Sequence, residues 1–260
     1  MDETSSENPS NNPIEKPIES VTTLNNQRGL HGPSLAIGAG IAIVSIIAVF
    51  FAVSIMDNNP ELQFEQKDPS QGNNQPSLSV FTANSSPFLG DENAPITLVE
   101  FGDYQCFFCN KFFHDTENAI IKNYVETGKV KIIFKDFTII GPDSINAAQA
   151  THCANDEGKF WEYHDELYNN WSGENNGWAS IEQLNHFATN VGLDLEKFDL
   201  CMDSKKYESL VASSNNDART LGLTGTPGFF VIGNDKQITK IGGAQPFDVF
   251  QRIFDSELAK

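Results

Sequence analysis

The sequence predicts an α/β domain whose sheet is split by an all-helical insertion, carried behind one membrane-spanning helix. Three observations predict it. A strand–helix–strand pattern covers residues 96–134, and a strand–strand–helix pattern closes the chain. Nearly ninety residues of mainly helical pattern separate the two. Upstream of both, Leu35 to Met56 forms a run of 22 residues without a charge.

Residues 1–33 are rich in Asn, Ser, Pro and Glu and lack hydrophobic periodicity, which predicts a disordered tail. Residues 34–56 are long enough to cross a hydrocarbon core of about 30 Å at about 1.5 Å per residue. A cleaved signal peptide has an apolar region of only about 7–15 residues behind a short basic stretch. Here the run is longer and follows a long, acidic tail, so an uncleaved anchor is expected. Lys16 and Arg28 precede the run and Lys67 follows it, a slight positive-inside bias. That bias puts the C-terminal portion outside the cytoplasm, where disulfides persist. Residues 57–76 read as a polar tether, and residues 77–260 suffice for one well-buried core.

Within this domain a short strand is expected at Leu78–Thr82 and a firmer one at Ile96–Phe101. A helix follows from the cysteine pair, with Phe113, Ile120, Ile121 and Tyr124 on one face, and ends near Gly128. Val130–Phe134 is the next strand, parallel to the first because a crossover helix joins them. Helices are expected at about 143–155, 158–170, 180–191, 194–203 and 205–221, with the insertion proper at about 143–203. Phe229–Ile232 and Gln237–Ile241 flank a turn at Gly233-Asn234-Asp235. Pro246–Leu258 reads as an amphipathic helix with Phe247, Phe250, Ile253 and Phe254 inward.

With 35 acidic and 17 basic residues the net charge is −18. That argues against a nucleic-acid partner, which needs clustered Lys and Arg against phosphate.

The chemistry concentrates in EFGDYQCFFC, residues 100–109. A cysteine is nucleophilic as thiolate, and a helix N-terminus stabilises that anion through its free N–H groups. Cys106 falls at such an N-terminus and Cys109 one turn further on. The geometry yields an exposed attacking thiol and a shielded resolving thiol. Half of a zinc site is the rival reading, but it needs two more ligands at suitable spacing. Cys153 and Cys201 stand singly, 48 residues apart, and the five histidines show no ligand spacing. No metal and no cofactor is expected. Gly225-Thr226-Pro227-Gly228 precedes the third strand, and X–Pro is the bond type that tolerates a cis peptide. An ordinary trans turn is the plainer alternative there.

Taken together, "GDENAPITLVEFGDYQCFFC", "GKFWEYHDELY" and "GTPGFFVIG", in that order, resemble the thioredoxin-fold, DsbA-like disulfide oxidoreductases over about residues 87–260. The resemblance implies a thioredoxin core with a helical insertion. It implies Cys106 as nucleophile, Cys109 as resolving thiol and Thr226-Pro227 as the cis-proline loop. Glu100, six residues before Cys106, matches the family's buried acid, which exchanges a proton with the resolving thiol; a solvent-facing edge-strand carboxylate is the alternative. Cys153 and Cys201 match the second cysteine pair of some members, which implies a structural disulfide, with free thiols or a second redox couple as alternatives.

Many members carry a histidine between the cysteines. Here Phe107 and Phe108 stand there, offering apolar surface for unfolded chains but no charge for the thiolate. A less oxidising poise than that of the histidine-containing members is therefore expected.

The expected function is a membrane-anchored, extracytoplasmic thiol–disulfide oxidoreductase that oxidises reduced exported proteins. By resemblance a quinone-linked membrane oxidase regenerates it. A reductase or isomerase is the alternative within this chemistry, and a non-catalytic peptide-binding module or chaperone the alternative outside it. Weaker signals are the sequons at Asn84 and Asn170, His114 as a surface residue, and Trp161, Tyr163 and Tyr168 as helix-face core.

Overall fold

A computed structural model of the chain describes residues 77–260. The tail, the expected anchor at 34–56 and the tether at 57–76 lie outside the described residues.

Strand β1 (Ile96–Gly102) lies inside a four-stranded sheet of order β2-β1-β3-β4. It pairs in parallel with β2 (Val130–Asp136) and antiparallel with β3 (Gly228–Ile232), which pairs antiparallel with β4 (Ile238–Gly242). The parallel pair is joined by helix α2 (residues 107–125), as a crossover requires. A short helix α1 (Ser79–Thr82) precedes β1. Helices α3 (Pro142–Asn155), α4 (Phe160–Asn169), α5 (Ile181–Asn190), α6 (Leu195–Asp203) and α7 (Glu208–Thr220) separate β2 from β3, and α8 (Phe247–Leu258) closes the chain.

Helix α2 starts as α-helix at Phe107–Phe112, widens to a π-helical turn at Phe113–Glu117, and returns to α-helix at Asn118–Ile120. A second π turn follows at Ile121–Val125. It ends at Val125, and the turn after it closes on Gly128, whose φ of +69° suits glycine. The apolar periodicity of this segment predicts the helix but carries no signal for the π turns.

Period-2 alternation along β1 assigns its two faces. Ile96 and Leu98 pack with Phe112, Ile120, Tyr124, Phe250 and Phe254 under α2 and α8. Val99 and Phe101 pack on the other side with Phe81, Ala218 and Phe230. Glu100 shares the face of Leu98, toward α2. Phe250 and Phe254 are fully buried, each contributing about 1.5–3 kcal/mol of burial.

The strand expected at Leu78–Thr82 is instead helix α1. Its alternation is too short to settle the matter, and the sheet edge it would need is taken. Ser86 and Leu89 hydrogen-bond to Phe134 and Ile132 along the outer side of β2. Phe81 is the anchor of α1, its ring 5.0 Å from that of Phe230.

Cys153 on α3 and Cys201 on α6 are joined by a disulfide with Cα atoms 5.9 Å apart. The free-thiol alternative does not fit this arrangement. Closing a loop of 48 residues stabilises the fold by roughly 3–4 kcal/mol in the chain-entropy model. The Cys153→Ala/Cys201→Ala protein should therefore melt on the order of 10 °C lower, measured by circular dichroism; an unchanged melting temperature would contradict a structural role.

Candidate active site

β1 ends at Gly102, where a Cβ would run into the Phe134 ring, so only glycine fits this approach. The turn that follows is fixed by Asp103. Its carboxylate accepts the N–H groups of Gln105 at 2.9 Å, Ile139 at 2.7 Å and Ile140 at 2.9 Å. That fastens the end of β1 to the loop after β2. Cys106 then caps α2 with extended backbone, φ −68° and ψ 125°. Cys106 is not the exposed thiol expected: both cysteines face inward, at 4% and 0% exposure, because the helix start turns their side chains under the chain, while Phe107 and Phe108 between them are 48% and 56% exposed.

Both cysteines are free thiols, and their environments divide them. Cys106 is brought down to about 6, first by the hydrogen bond from Cys109 and, against the cost of burial, by the Thr226 hydroxyl and the amides of Cys109 and Phe108. Cys109 is pushed well above the usual thiol range, first by burial, then by the hydrogen bond to Cys106 and its charge, then by Glu100. At neutral pH one thiolate forms, and it sits on Cys106.

The Thr226–Pro227 peptide bond is cis. The Thr226 carbonyl accepts from the Cys106 thiol at 3.5 Å.

Beneath the cysteines Glu100 is buried, 2% exposed, on a strand with neighbours on both sides, so the solvent-facing alternative is excluded. Burial raises its carboxyl well above the ordinary range, and the charges of Glu117 and Cys106 add to the rise. Glu117, in the first π turn of α2, is 3% exposed, and its Oε2 has no partner. Burial, followed by the charge of Asp165 on α4, pushes it up to about 8. Around these acids stand Tyr104, Phe113, Phe134, His164 and Tyr168, with Tyr168 stacked on Phe113 at 5.1 Å. The Tyr104 hydroxyl meets His164 Nδ1 at 3.1 Å, and burial takes His164 down to about 3, so the ring is neutral.

This arrangement can exchange a disulfide at its surface and move a proton beneath it. The profile of the family described as thioredoxin matches residues 82–255. The chain belongs to the thioredoxin family. Within it the chain is DsbA-like. Disulfide bond formation protein D of Bacillus subtilis is 28% identical over 195 residues, covering 72% of this chain and 83% of that protein. The oxidised BdbD structure from Bacillus subtilis matches with a TM-score of 0.62 at 26% identity, over 72% of this chain and 97% of that one. Alpha-DsbA1 of Wolbachia pipientis matches with a TM-score of 0.59 at 26% identity, over 65% and 89%. The protein is a thiol:disulfide oxidoreductase.

In this DsbA-like protein the structure brings Cys106, Cys109, Glu100, Phe107, Phe108, Thr226 and Pro227 to one end of the sheet and leaves Cys153 and Cys201 in the helical layer. His114 is exposed and bonds the Tyr168 carbonyl at 3.3 Å. Trp161 is half-buried, while Tyr163 and Tyr168 are core. Among the described residues no three His, Cys, Asp or Glu side chains gather to hold a metal.

Two residues at this thioredoxin-family site escape the sequence reading. Glu117 carried a signal: with Phe113, Ile120 and Tyr124 it occupies the apolar stripe of α2, the one acid on that face. Glu174 carried none. It comes from the loop after α4, and only the fold brings its Oε1 to 3.0 Å from the Phe107 N–H.

Proposed function

We propose that the chain is a membrane-anchored, extracytoplasmic disulfide donor that oxidises cysteines of exported proteins. The observation that carries this reading is the division of the two thiols. A reduced state holding a stable Cys106 thiolate favours the dithiol, and that drives the disulfide onto substrates. The similarity to a protein named for disulfide bond formation supports the same direction, and the uncharged run at 35–56 supports the anchor.

The steps follow from the geometry. A substrate thiolate attacks Cys106 Sγ, forming a mixed disulfide and breaking the Cys106–Cys109 bond. Cys109 leaves as a thiolate in a buried site that opposes its charge, and Glu100 supplies the proton. A second substrate thiolate attacks the substrate sulfur. The substrate disulfide forms and Cys106 departs as thiolate, leaving two electrons in the dithiol. Phe107 and Phe108 offer apolar contact to the unfolded chain, and the Thr226 carbonyl lies beside the reacting sulfur to accept a backbone N–H from it. A quinone-linked membrane oxidase then accepts the electrons.

Reductase or isomerase direction is the second reading, and the reduction potential separates the two. A Cys106 thiol near 6 lies between those of DsbA at about 3.5 and thioredoxin at about 7. The potential should fall between about −120 and −270 mV, and the oxidised protein should reactivate a reduced, unfolded test enzyme. The Cys106→Ser variant should not. Reactivation by that variant would defeat the catalytic assignment, and a potential at or below that of thioredoxin would defeat the donor direction.

A further inference from the structure

We propose that Glu174 tunes the redox poise of this site, as an anion held on the first amide of the helix that begins at the attacking cysteine. The proposal rests on Cys106 being the attacking thiol. Two observations and one chemical argument carry it.

The first is the position of the charge. Phe107 is the residue after Cys106 and the first of α2. Its N–H is among those unbonded at a helix start and available to an anion. Glu174 Oε1 takes it, at 3.0 Å. The carboxylate and the Cys106 thiolate therefore draw on neighbouring amides of one helix turn.

The second is that Glu174 is held there. The loop bearing it is tied to the turn before Cys106 on both sides. Trp171 Nε1 donates to the Gln105 carbonyl at 2.8 Å, and the Asn175 N–H donates to Gln105 Oε1 at 2.9 Å. Gln105 Nε2 is itself anchored on Ser144 Oγ at 2.9 Å. Asn175 Nδ2 reaches the Ile140 carbonyl at 3.2 Å, and the Phe107 and Trp171 rings lie 5.9 Å apart. A carboxylate on a free loop would swing away from a new negative charge. Here the backbone on either side is pinned, and the exposed Glu174 side chain reaches Phe107 from that fixed loop.

The third is that the two redox states differ at this contact. In the disulfide Cys106 is neutral, and the Glu174 bond to the helix start is unopposed. In the dithiol the sulfur is anionic, and two like charges share one turn. Glu174 therefore favours the disulfide over the dithiol and keeps the couple less oxidising. This complements the absence of a histidine between the cysteines, with Phe107 and Phe108 in its place: the turn lacks a cation and contains an anion.

The test compares Glu174→Gln with Glu174→Ala in the purified protein. Gln keeps an acceptor for the Phe107 N–H and removes the charge; Ala removes both. Thiolate absorbance against pH reads the Cys106 titration, and glutathione equilibration reads the couple. Both variants should titrate at lower pH than wild type. Both should shift the glutathione equilibrium up to tenfold toward the dithiol, about 30 mV. In wild type, added salt should move the Cys106 titration downward, because it screens repulsion across exposed charges; in Glu174→Gln this movement should shrink. If only Glu174→Ala shifts the couple, Glu174 serves as a helix cap alone and the proposal fails. It fails equally if neither variant shifts it or if the salt response is the same in both proteins. Loss of the thiolate signal in Cys106→Ser separately confirms that the titrating sulfur is Cys106, so failure there would overturn the nucleophile assignment itself.

Discussion

Cys109→Ala is expected to stop turnover while leaving Cys106 able to react. The variant keeps the exposed apolar rim and the attacking sulfur, but it can neither form the donor disulfide nor release a trapped partner. Resolution by an internal thiol one helical turn away has a high effective concentration. Replacing it with a thiol from solution should slow release on the order of 10³-fold or more. Incubated with a disulfide-bonded peptide, the variant should accumulate a 1:1 mixed disulfide through Cys106, seen as an added peptide mass by intact mass spectrometry. The wild type should show no lasting adduct, since Cys109 clears it. Retention of oxidising turnover in Cys109→Ala would mean that the pair does not work as attacking and resolving thiols. The fully buried position of Cys109 and its raised titration support the proposed order of events, in which Cys109 acts on Cys106 and not on substrate.

Much of this site is legible along the chain because its parts are local. Cys106 and Cys109 are one turn apart, and the strand before them and the helix after them are both signalled by their apolar periods. Glu100 is on the same strand, so its face follows from counting residues. The proline loop precedes a strand and is recognisable by composition. Two further features depend on contacts across long stretches of chain, and no local pattern encodes them. Glu174 meets Phe107 only because the helical layer returns its loop over the sheet end. Helix α1 replaces the expected strand because Ser86 and Leu89 occupy the edge of β2, a competition invisible in the five residues concerned. Glu117 lies between these cases. Its place on the apolar stripe of α2 is countable, but its meaning depends on Glu100 facing it from β1.

That meeting of two buried carboxyls makes stability depend on pH with a sign opposite to the usual one for acids. Surface carboxylates with good partners titrate low, and they lose stability in acid. Glu100 and Glu117 titrate high, chiefly because burial opposes their charge. Below about pH 4.5 both the folded and the unfolded chain hold these protons, and the contribution is fully present. As pH rises, the unfolded chain releases them first while the folded chain retains them. Stability then falls by about 1.4 kcal/mol per pH unit for each proton retained. For Glu117 the loss continues until its own titration, about 8, and levels off beyond. Between pH 5 and 8 this amounts to up to about 4 kcal/mol for one group, a large part of the margin of a typical domain. Glu117→Gln should remove that group's share of the slope. Urea unfolding of the reduced protein at pH 5, 6, 7 and 8 checks this: wild type should weaken steadily, and the Gln variant should be flatter by about one proton. Parallel slopes in the two proteins would show that Glu117 is already ionised in the fold. Its unpartnered Oε2 would then need a cation or ordered water that neither the helix nor the strand supplies.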